Sequence, residues 1–295
     1  MPPRVQPKEP VKMPAKVQQK SRAFLKWAGG KFNLVSQIEQ QLPGAACLVE
    51  PFVGAGSVFL NTDYPRYRLN DINADLIALY KTLQHDAERY IADARSLFVA
   101  SANTKDSYLA LRKQFNELHD PYQRALLFLY LNRHGYNGLC RYNLSGKFNV
   151  PFGSYKKPYF PEAELYFFAE KAQRAVFSCL SYQQVFTDLQ SGDAVYCDPP
   201  YVPLSKTASF TSYARQGFSL DDQAQLAILA EQAQLRGCNV LISNHDTTWT
   251  RKIYQQARLT SIAVGRSISQ NGQGRGKVQE LFAYYPALAQ HQKND

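Results

Sequence analysis

One stretch near the start of the chain decides the fold: Ala46-Cys47-Leu48-Val49-Glu50-Pro51-Phe52-Val53-Gly54-Ala55-Gly56-Ser57. Residues 46–50 predict a short buried strand, and the glycine-rich residues 51–57 predict a tight turn. A second strand is predicted at residues 66–70, and helical spacing follows at residues 72–83. Two strands, with a glycine-rich turn after the first and a helix after the second, are typical of the opening of a doubly wound α/β sheet.

The next segment predicts a helical insertion in this sheet. The helix at residues 72–83 should bury one side, formed by Ile72, Leu76, Leu79, Tyr80 and Leu83. Further helices are predicted at residues 90–98, 107–118 and 121–133, and residues 134–160 are loop-like. We therefore divide the chain into a disordered basic tail (1–21), an α/β core (22–86 and 161–295) and a helical domain (87–160).

Strand patterns return in the second half of the chain. They lie at residues 175–180, 194–197 and 239–243, with a final pair at 260–264 and 278–285. Ser219 is predicted to cap a helix, with Asp222 as its capping-box partner. The glycine-rich loop 265–277 carries Arg266, Arg275 and Lys277, a pattern that fits a polyanion contact and a mobile hairpin loop equally well.

Charge is distributed unevenly along the 295 residues, which have a net charge of +10. The first 22 residues hold six basic residues and one acid. Between Asp120 and Glu162 there are six basic residues and no acid, which indicates a polyanionic partner. The five cysteines and five histidines show no ligand spacing, so we expect no metal and no disulfide. No apolar run is long enough to span a membrane, and no secretion signal is evident, so we expect a cytoplasmic protein.

The motif Asp198-Pro199-Pro200-Tyr201 follows the predicted strand 194–197. Two prolines form a rigid corner that presents the Asp198 carboxylate and the Pro199 carbonyl as acceptors, and the Tyr201 ring can stack. Such a corner suits the amine of a flat aromatic ring, because two fixed acceptors can draw the amine nitrogen toward tetrahedral geometry as it attacks. The alternative is a strand-ending turn with an exposed Asp.

The glycine-rich turn predicts a cofactor loop, although a plain turn would fit nearly as well. Gly54 and Gly56 permit close approach of a ligand, but Phe59 replaces the third glycine of the dinucleotide fingerprint, which argues against NAD. Asp71 ends the second predicted strand, where a carboxylate can accept hydrogen bonds from ribose hydroxyls. Asp71 could instead, or also, cap the helix that follows.

Four motifs in order resemble the Dam-type DNA adenine-N6 methyltransferases. They are residues 24–31 (Phe-Leu-Lys-Trp-Ala-Gly-Gly-Lys), residues 51–57, Asp71, and residues 198–201. The resemblance runs from about residue 22 to residue 285 and implies a Rossmann-like S-adenosylmethionine-dependent methyltransferase core, an inserted helical DNA-recognition domain and the target GATC. It implies that the cofactor, whose product is S-adenosylhomocysteine, is bound by Trp27, Lys31, Phe52, Gly54, Gly56, Asp71 and Asp198. It also implies that residues 198–201 hold a flipped adenine.

Within the acid-free stretch, residues 133–143 predict a DNA-reading loop. Arg141 can contact guanine O6 and N7 in a bidentate manner. The resemblance implies further DNA contacts: Lys26 on the first guanine, Leu139 and Pro151 on a thymine methyl, Tyr136 wedged into the base stack and Asn137 facing the orphan thymine, with Asn143 in the same loop. Arg133, Lys147, Lys156 and Lys157 would neutralise phosphates. Without the resemblance, a solvated surface loop would be as good an interpretation.

Three other functions stay open at this point. One is a methyltransferase of the same core that acts on RNA or on a protein amide, another is a DNA-binding module without catalysis, and the last, disfavoured, is an NAD-dependent oxidoreductase. The expected partner is double-stranded DNA, with no membrane and no obligatory protein partner. The resemblance further suggests a nucleoid-associated enzyme with roles in mismatch repair and DNA replication.

Overall fold

The computed structural model describes residues 20–201, 218–265 and 277–288. Nearly all of the basic tail and loop residues 266–276, with Arg266 and Arg275, therefore lie outside the described residues, as does the side chain of Lys277. Among the described residues, every helix falls short of the length and apolarity that a membrane crossing requires.

The described residues form a seven-stranded sheet in the order β3-β2-β1-β4-β5-β7-β6. Strands β1 to β5 are mutually parallel, and β7 pairs antiparallel with both β5 and β6. The strands are β1 (Cys47–Glu50), β2 (Arg66–Asn70), β3 (Ala175–Ser178), β4 (Ala194–Cys197), β5 (Asn239–His245), β6 (Arg258–Gly265) and β7 (Lys277–Tyr285). This confirms the predicted doubly wound α/β fold, with each predicted strand present to within two residues at its ends.

Helices flank the sheet and fill the helical segment between β2 and β3. The helices are α1 (Val35–Gln41), α2 (Ser57–Asn61), α3 (Ala74–His85), α4 (Ala87–Arg95), α5 (Lys105–Glu117), α6 (Pro121–His134), α7 (Glu162–Ala172), α8 (Tyr182–Thr187), α9 (Leu220–Leu235) and α10 (Thr248–Ile253). The predicted capping box at the start of α9 is present, with Ser219 and Asp222 bonded reciprocally. Helices α1, α7, α8 and α10 were not predicted.

Alternation along the strands gives the sheet two apolar faces. In β1, Leu48 belongs to a cluster that includes α1, α3 and the helical segment, whereas Val49 belongs to a second cluster that includes α8 and α9. In β4, Tyr196 and Cys197 divide between the same two clusters. Both faces of the central strands are therefore buried, as parallel sheets require.

One prediction about the helix after β2 is wrong. Ile72 was expected on the buried side of this helix, but it is 75% exposed. The helix begins only at Ala74, because Asn73 is the N-cap and accepts a hydrogen bond from the Leu76 amide at 3.1 Å. Ile72 precedes the helix, so helical spacing does not determine which way it faces.

Asn70, at the end of β2, is a buried junction between three segments. Its amide group donates to the Pro51 and Leu180 carbonyls, both at 3.0 Å. Its oxygen accepts from the Ser178 hydroxyl at 2.8 Å and from the Leu180 amide at 2.9 Å. The residue therefore ties the loop after β1 to the end of β3.

We expect Asn70→Ala to lower the free energy of unfolding by about 3 kcal/mol, because it leaves buried backbone groups without partners. Ser178→Ala is the matched control, since it removes one of the same four bonds and should cost only about 1 kcal/mol. Urea denaturation measures both values. If Asn70→Ala lowered the free energy of unfolding by no more than the control does, the role of Asn70 as a junction would be contradicted.

Candidate active site

Three predicted site segments meet at one edge of the sheet. Strand β1 lies between β2 and β4 and is parallel to both. The loop after β1, Asp71 after β2 and Asp198 after β4 therefore all emerge at the carboxyl edge, where open α/β sheets bind ligands.

The loop after β1 is fixed at Gly54. Its amide donates to the Asp71 carboxylate at 3.0 Å, and its carbonyl accepts from the Tyr80 hydroxyl at 2.6 Å. Gly54 has φ +48°, and a Cβ atom there would lie 2.9 Å from the indole nitrogen of Trp27. Only glycine fits this position, so the loop backbone and the Trp27 ring line the edge together.

Asp71 keeps its side chain at this edge rather than capping α3. Its second oxygen accepts from the Asn73 amide at 2.9 Å, and Asn73 itself is the cap. The capping alternative for Asp71 is therefore wrong. Burial raises the pKa of Asp71, while the amides of Gly54 and Asn73 oppose that shift. The exposed Ile72 beside it offers an apolar surface at the same edge.

The Asp198 carboxylate has one occupied and one available oxygen. Lys31 Nζ lies 3.0 Å from Oδ1, and the Ser243 hydroxyl donates to the same oxygen at 3.2 Å. Within the described parts of the chain, these are its contacts, so Oδ2 can accept further hydrogen bonds. Lys31 is buried and also donates to the Gly29 carbonyl at 2.8 Å.

The Tyr201 ring is fixed from several directions. Lys31 Nζ lies 4.4 Å from its centroid, and the His245 ring meets it edge-on at 4.8 Å. The Tyr201 hydroxyl donates to Glu280 Oε2 at 2.9 Å, and burial raises the pKa of Glu280. The ring is therefore held beside the Asp198–Lys31 pair.

The proline corner is also supported from behind. The Pro200 carbonyl accepts a hydrogen bond from the Gln223 amide at 2.6 Å, whereas Pro199 is buried next to Asp198. The corner predicted from the sequence is thus held by helix α9, which carries Gln223.

Glu50, at the end of β1, is the buried acid of this edge. It is 2% exposed, and its Oε1 atom has no hydrogen-bond partner within the described parts of the chain. Burial, helped by the charge of Asp198, raises its pKa to about 8. A buried polar atom without a partner marks a position where a ligand group can bind.

Lys26 connects this edge to the predicted reading loop. The Asn132 side chain accepts from the Lys26 amide at 2.9 Å and donates to its carbonyl at 2.7 Å. Lys26 Nζ lies 3.8 Å from the centroid of the Tyr155 ring. Gly138 packs directly on the Lys26 side chain, since a Cβ atom at Gly138 would lie 2.1 Å from Lys26 Cβ.

The predicted reading loop contains a hairpin over residues 141–149. Tyr142 and Phe148 form its antiparallel bridge, and Asn143 accepts hydrogen bonds at the turn from two amides, those of Ser145 and Lys147. The exposed Arg141 donates to the Asn149 side chain at 2.7 Å and to its carbonyl at 3.1 Å. These bonds leave three guanidinium N–H groups for a ligand.

The other predicted DNA contacts differ in exposure. Arg133 is only partly exposed and donates to the carbonyls of Tyr159 and Phe24, so it also has a structural role. Asn137 adopts φ +52° and donates its amide to the Tyr155 hydroxyl at 3.0 Å. On the surface, Tyr136, Pro151 and Lys156 are exposed, and Leu139 is half-buried.

Comparison with known proteins identifies the family. Residues 27–268 match the model of the D12 class N6 adenine-specific DNA methyltransferases. The chain belongs to this family. It is 61% identical to a DNA adenine methylase of Vibrio cholerae serotype O1 over 267 residues, covering 90% of this chain and 96% of that protein. It is 59% identical to the DNA adenine methylase of Escherichia coli K12, with the same coverages, and 57% identical to that of Serratia marcescens, covering 90% and 99%.

The enzyme is thus a site-specific DNA methyltransferase that acts on the N6 amine of adenine. Membership of the family implies S-adenosylmethionine as methyl donor and DNA as substrate. The predicted activity is therefore confirmed. The three alternatives, namely a methyltransferase acting on RNA or a protein amide, a non-catalytic DNA-binding module and an oxidoreductase, are not supported. No group of three or more potential metal ligands occurs in the part of the chain that the structure describes.

Several residues of the site were not predicted from the sequence. Ser243 and Glu280 approach from β5 and β7, and only the strand order brings them to Asp198 and Tyr201. Tyr155 lies in the acid-free stretch but carries no motif. Glu50 had a usable signal, since an acid at the end of an apolar strand is an unusual choice for a buried position.

We expect Glu50→Gln to remove a pH dependence of stability in the cofactor-free enzyme. The pKa of Glu50 is about 8 in the fold, against its usual 4.5. As the pH rises between these values, the unfolded chain loses its proton first, so the wild-type free energy of unfolding falls. The glutamine variant lacks this loss. Urea unfolding at about pH 5.5 and about pH 8.5 should show the variant gaining on the wild type by a few kcal/mol.

Glu39→Gln is the control, because it removes the same charge from an exposed position. A stability difference between the Glu50 variant and the wild type that stays constant across this pH range would contradict the raised pKa.

Proposed function

We propose that the enzyme methylates the N6 amine of an adenine flipped out of duplex DNA, within GATC. The observation that carries this proposal is the site itself. An available Asp198 oxygen and a fixed Tyr201 ring lie at the same sheet edge as the hydrogen-bonded pair of Gly54 and Asp71. Lys26 then links this edge to an exposed, acid-free loop that carries Arg141.

The residues around Gly54 fit S-adenosylmethionine. Trp27, Lys31, Phe52, Gly54, Gly56, Asp71 and Asp198 would bind it. The Asp71 carboxylate suits ribose hydroxyls, and the exposed Ile72 suits an adenine face. The unpartnered Glu50 oxygen suits the ammonium of the methionine part. When bound, the cofactor supplies an activated methyl group on a positively charged sulfur.

Asp198 and Pro199 would bind the target amine. Asp198 Oδ2 and the Pro199 carbonyl accept hydrogen bonds from its two N–H groups, and Tyr201 stacks on the ring. These two hydrogen bonds draw the nitrogen lone pair out of conjugation and toward the methyl group. The carboxylate then stabilises the positive charge that develops on N6 as the new N–C bond forms, and N6 afterwards loses one proton to give the neutral methylated amine. Lys31 holds Asp198 through Oδ1 and leaves Oδ2 for this task.

The reading loop would provide the sequence specificity. Arg141 contacts one guanine, Lys26 the other, and Leu139 and Pro151 a thymine methyl. Tyr136 fills the gap that the flipped adenine leaves, with Asn137 opposite the orphan thymine. Asn143 and the basic side chains contact the backbone, namely Arg133, Lys147, Lys156 and Lys157. The two hydrogen bonds that Arg141 donates to Asn149 orient its guanidinium for such a contact.

We further propose the setting in which the enzyme acts. Residues 22–86 and 161–295 form the catalytic core, and residues 87–160 form the recognition domain. The enzyme needs neither a metal nor an obligatory protein partner, and it acts on the nucleoid in the cytoplasm. The basic tail at residues 1–21 would add affinity for DNA without adding specificity.

The test uses methyl-labelled S-adenosylmethionine and two duplexes that differ only in one GATC site. We expect label on adenine N6 of the GATC duplex alone. Asp198→Ala should abolish this transfer while leaving DNA affinity nearly unchanged, because the flipped base is the only part of the DNA that this residue would contact. Equal labelling of both duplexes would contradict the recognition proposal, and an active Asp198→Ala variant would contradict the role of the carboxylate.

Arg141→Ala should reduce discrimination at one guanine of the site by about 1–3 kcal/mol in kcat/KM. The measurement compares the GATC duplex with its single-base variants. Lys147→Ala in the same hairpin is the control, since loss of a phosphate contact should weaken all duplexes equally. If both variants gave the same profile across the duplexes, Arg141 would not be the guanine reader.

A further inference from the structure

The hairpin that carries Arg141 is attached to two different helices at its base. On one side, Asn116 of α5 exchanges two hydrogen bonds with the Phe148 backbone, at 3.0 and 2.8 Å. On the other side, Tyr142 donates its hydroxyl to Asp75 of α3 at 2.6 Å. The second attachment differs from the first because α3 begins at the cofactor edge.

Asp75 collects several strong hydrogen bonds in a partly buried position, with 13% of its side chain exposed. Its Oδ2 accepts from Tyr142, and its Oδ1 accepts from two guanidinium nitrogens of Arg124, at 2.6 and 3.0 Å. Arg124 in turn donates to the carbonyls of Phe115 and Leu118 at the end of α5. Charge-assisted bonds of this kind are stronger and more directional than neutral ones.

The first turn of α3, which carries Asp75, is also linked by hydrogen bonds to the loop after β1. Asp71 accepts from the Gly54 amide and from the Asn73 amide, and Asn73 caps α3. The Asn73 side chain also donates to Cys140 Sγ at 3.4 Å. Cys140 and Tyr142 flank Arg141 in the chain, so both neighbours of the reading residue are bonded to the first turn of α3.

These contacts form a short, continuous connection from Gly54 through Asp71 and Asn73 to the hairpin. A ligand that orders the start of α3 also orders the hairpin bonded to it. DNA that binds afterwards then loses less conformational entropy in ordering the hairpin. The effect must be reciprocal, since coupling between two binding equilibria has the same size in both directions. Asp75 is the residue on which the connection to Tyr142 depends.

We propose that Asp75 is a positioning residue that couples the cofactor loop to the reading hairpin, so that cofactor occupancy and guanine discrimination strengthen each other. This inference rests on the proposed function, which makes the loop after β1 and Asp71 part of the cofactor site and Arg141 the guanine reader. In this proposal Asp75 contacts neither ligand. It acts through its bond to Tyr142 and through its position in the first turn of α3, which Asn73 caps.

The test measures the affinity of the full-length enzyme for the GATC duplex and for its guanine variants, with and without saturating S-adenosylhomocysteine. For the wild type we expect the product to tighten binding to GATC by a factor within about 5–150. It should tighten binding to the guanine variants much less.

Tyr142→Phe is the main variant, because it removes only the hydroxyl and keeps the ring edge-on to Phe148 at 5.6 Å. Asp75→Asn is the second, and the double variant completes a cycle. Tyr122→Phe is the matched control, since its hydroxyl donates to Asp93 at 2.5 Å within the helical segment, away from the hairpin. The thermal unfolding temperature of each variant is also measured, so that the variants are compared at equal stability or after an equal decrease in stability.

We expect Tyr142→Phe and Asp75→Asn each to reduce the tightening by the product at least threefold, without additivity in the double variant. Tyr122→Phe should keep the wild-type factor. The coupling would be refuted if the wild type showed no tightening, or if all variants kept the wild-type factor. Loss of the GATC preference in the wild type itself would instead contradict the proposed function.

Discussion

The parallel pairing of β1 with both β2 and β4 is the constraint on which the site depends. It brings the glycine loop, Asp71 and Asp198 to one edge although Asp71 and Asp198 are far apart in the chain. The buried residues of β1 face apolar clusters on both sides of the sheet, so a shift in register would displace side chains from both. The position of the Asp198–Tyr201 corner is therefore set by the core rather than by the loops.

Much of the fold and part of the site could be predicted from the sequence, for physical reasons that differ by residue. The strands after residue 46 and the proline corner carry strong local signals, because apolar runs and consecutive prolines restrict the backbone by themselves. The prediction for Ile72 failed because its spacing to Leu76 is helical, whereas Asn73 caps the helix and Ile72 lies before it. Local pattern cannot show where a cap will act.

The partners of the site residues were beyond sequence reasoning for another reason. Glu280 reaches Tyr201 only because β7 inserts antiparallel between β5 and β6, which places it beside a strand distant in sequence. Asn149 orients Arg141 across a hairpin that glycine and asparagine content alone did not reveal. Such contacts follow from strand order and hairpin register, and both are tertiary properties.

The opposite charges of the sheet edge and of the predicted reading loop explain how the enzyme would direct its cofactor and the DNA backbone to different surfaces. Asp71 and Asp198 lie at the sheet edge, and Asp198 is paired with the buried Lys31. Acids outnumber this one cation, and a site of this sign suits the cationic cofactor that we propose. It also repels phosphates, which the basic reading loop attracts instead. Of a bound duplex, only a neutral flipped base would enter the acidic edge, while the backbone stays on the basic surface. Such a division requires the two surfaces to keep a fixed relation. The bonds of Asn132 to Lys26 hold the reading loop on one side, and the bond of Tyr142 to Asp75 holds it on the other.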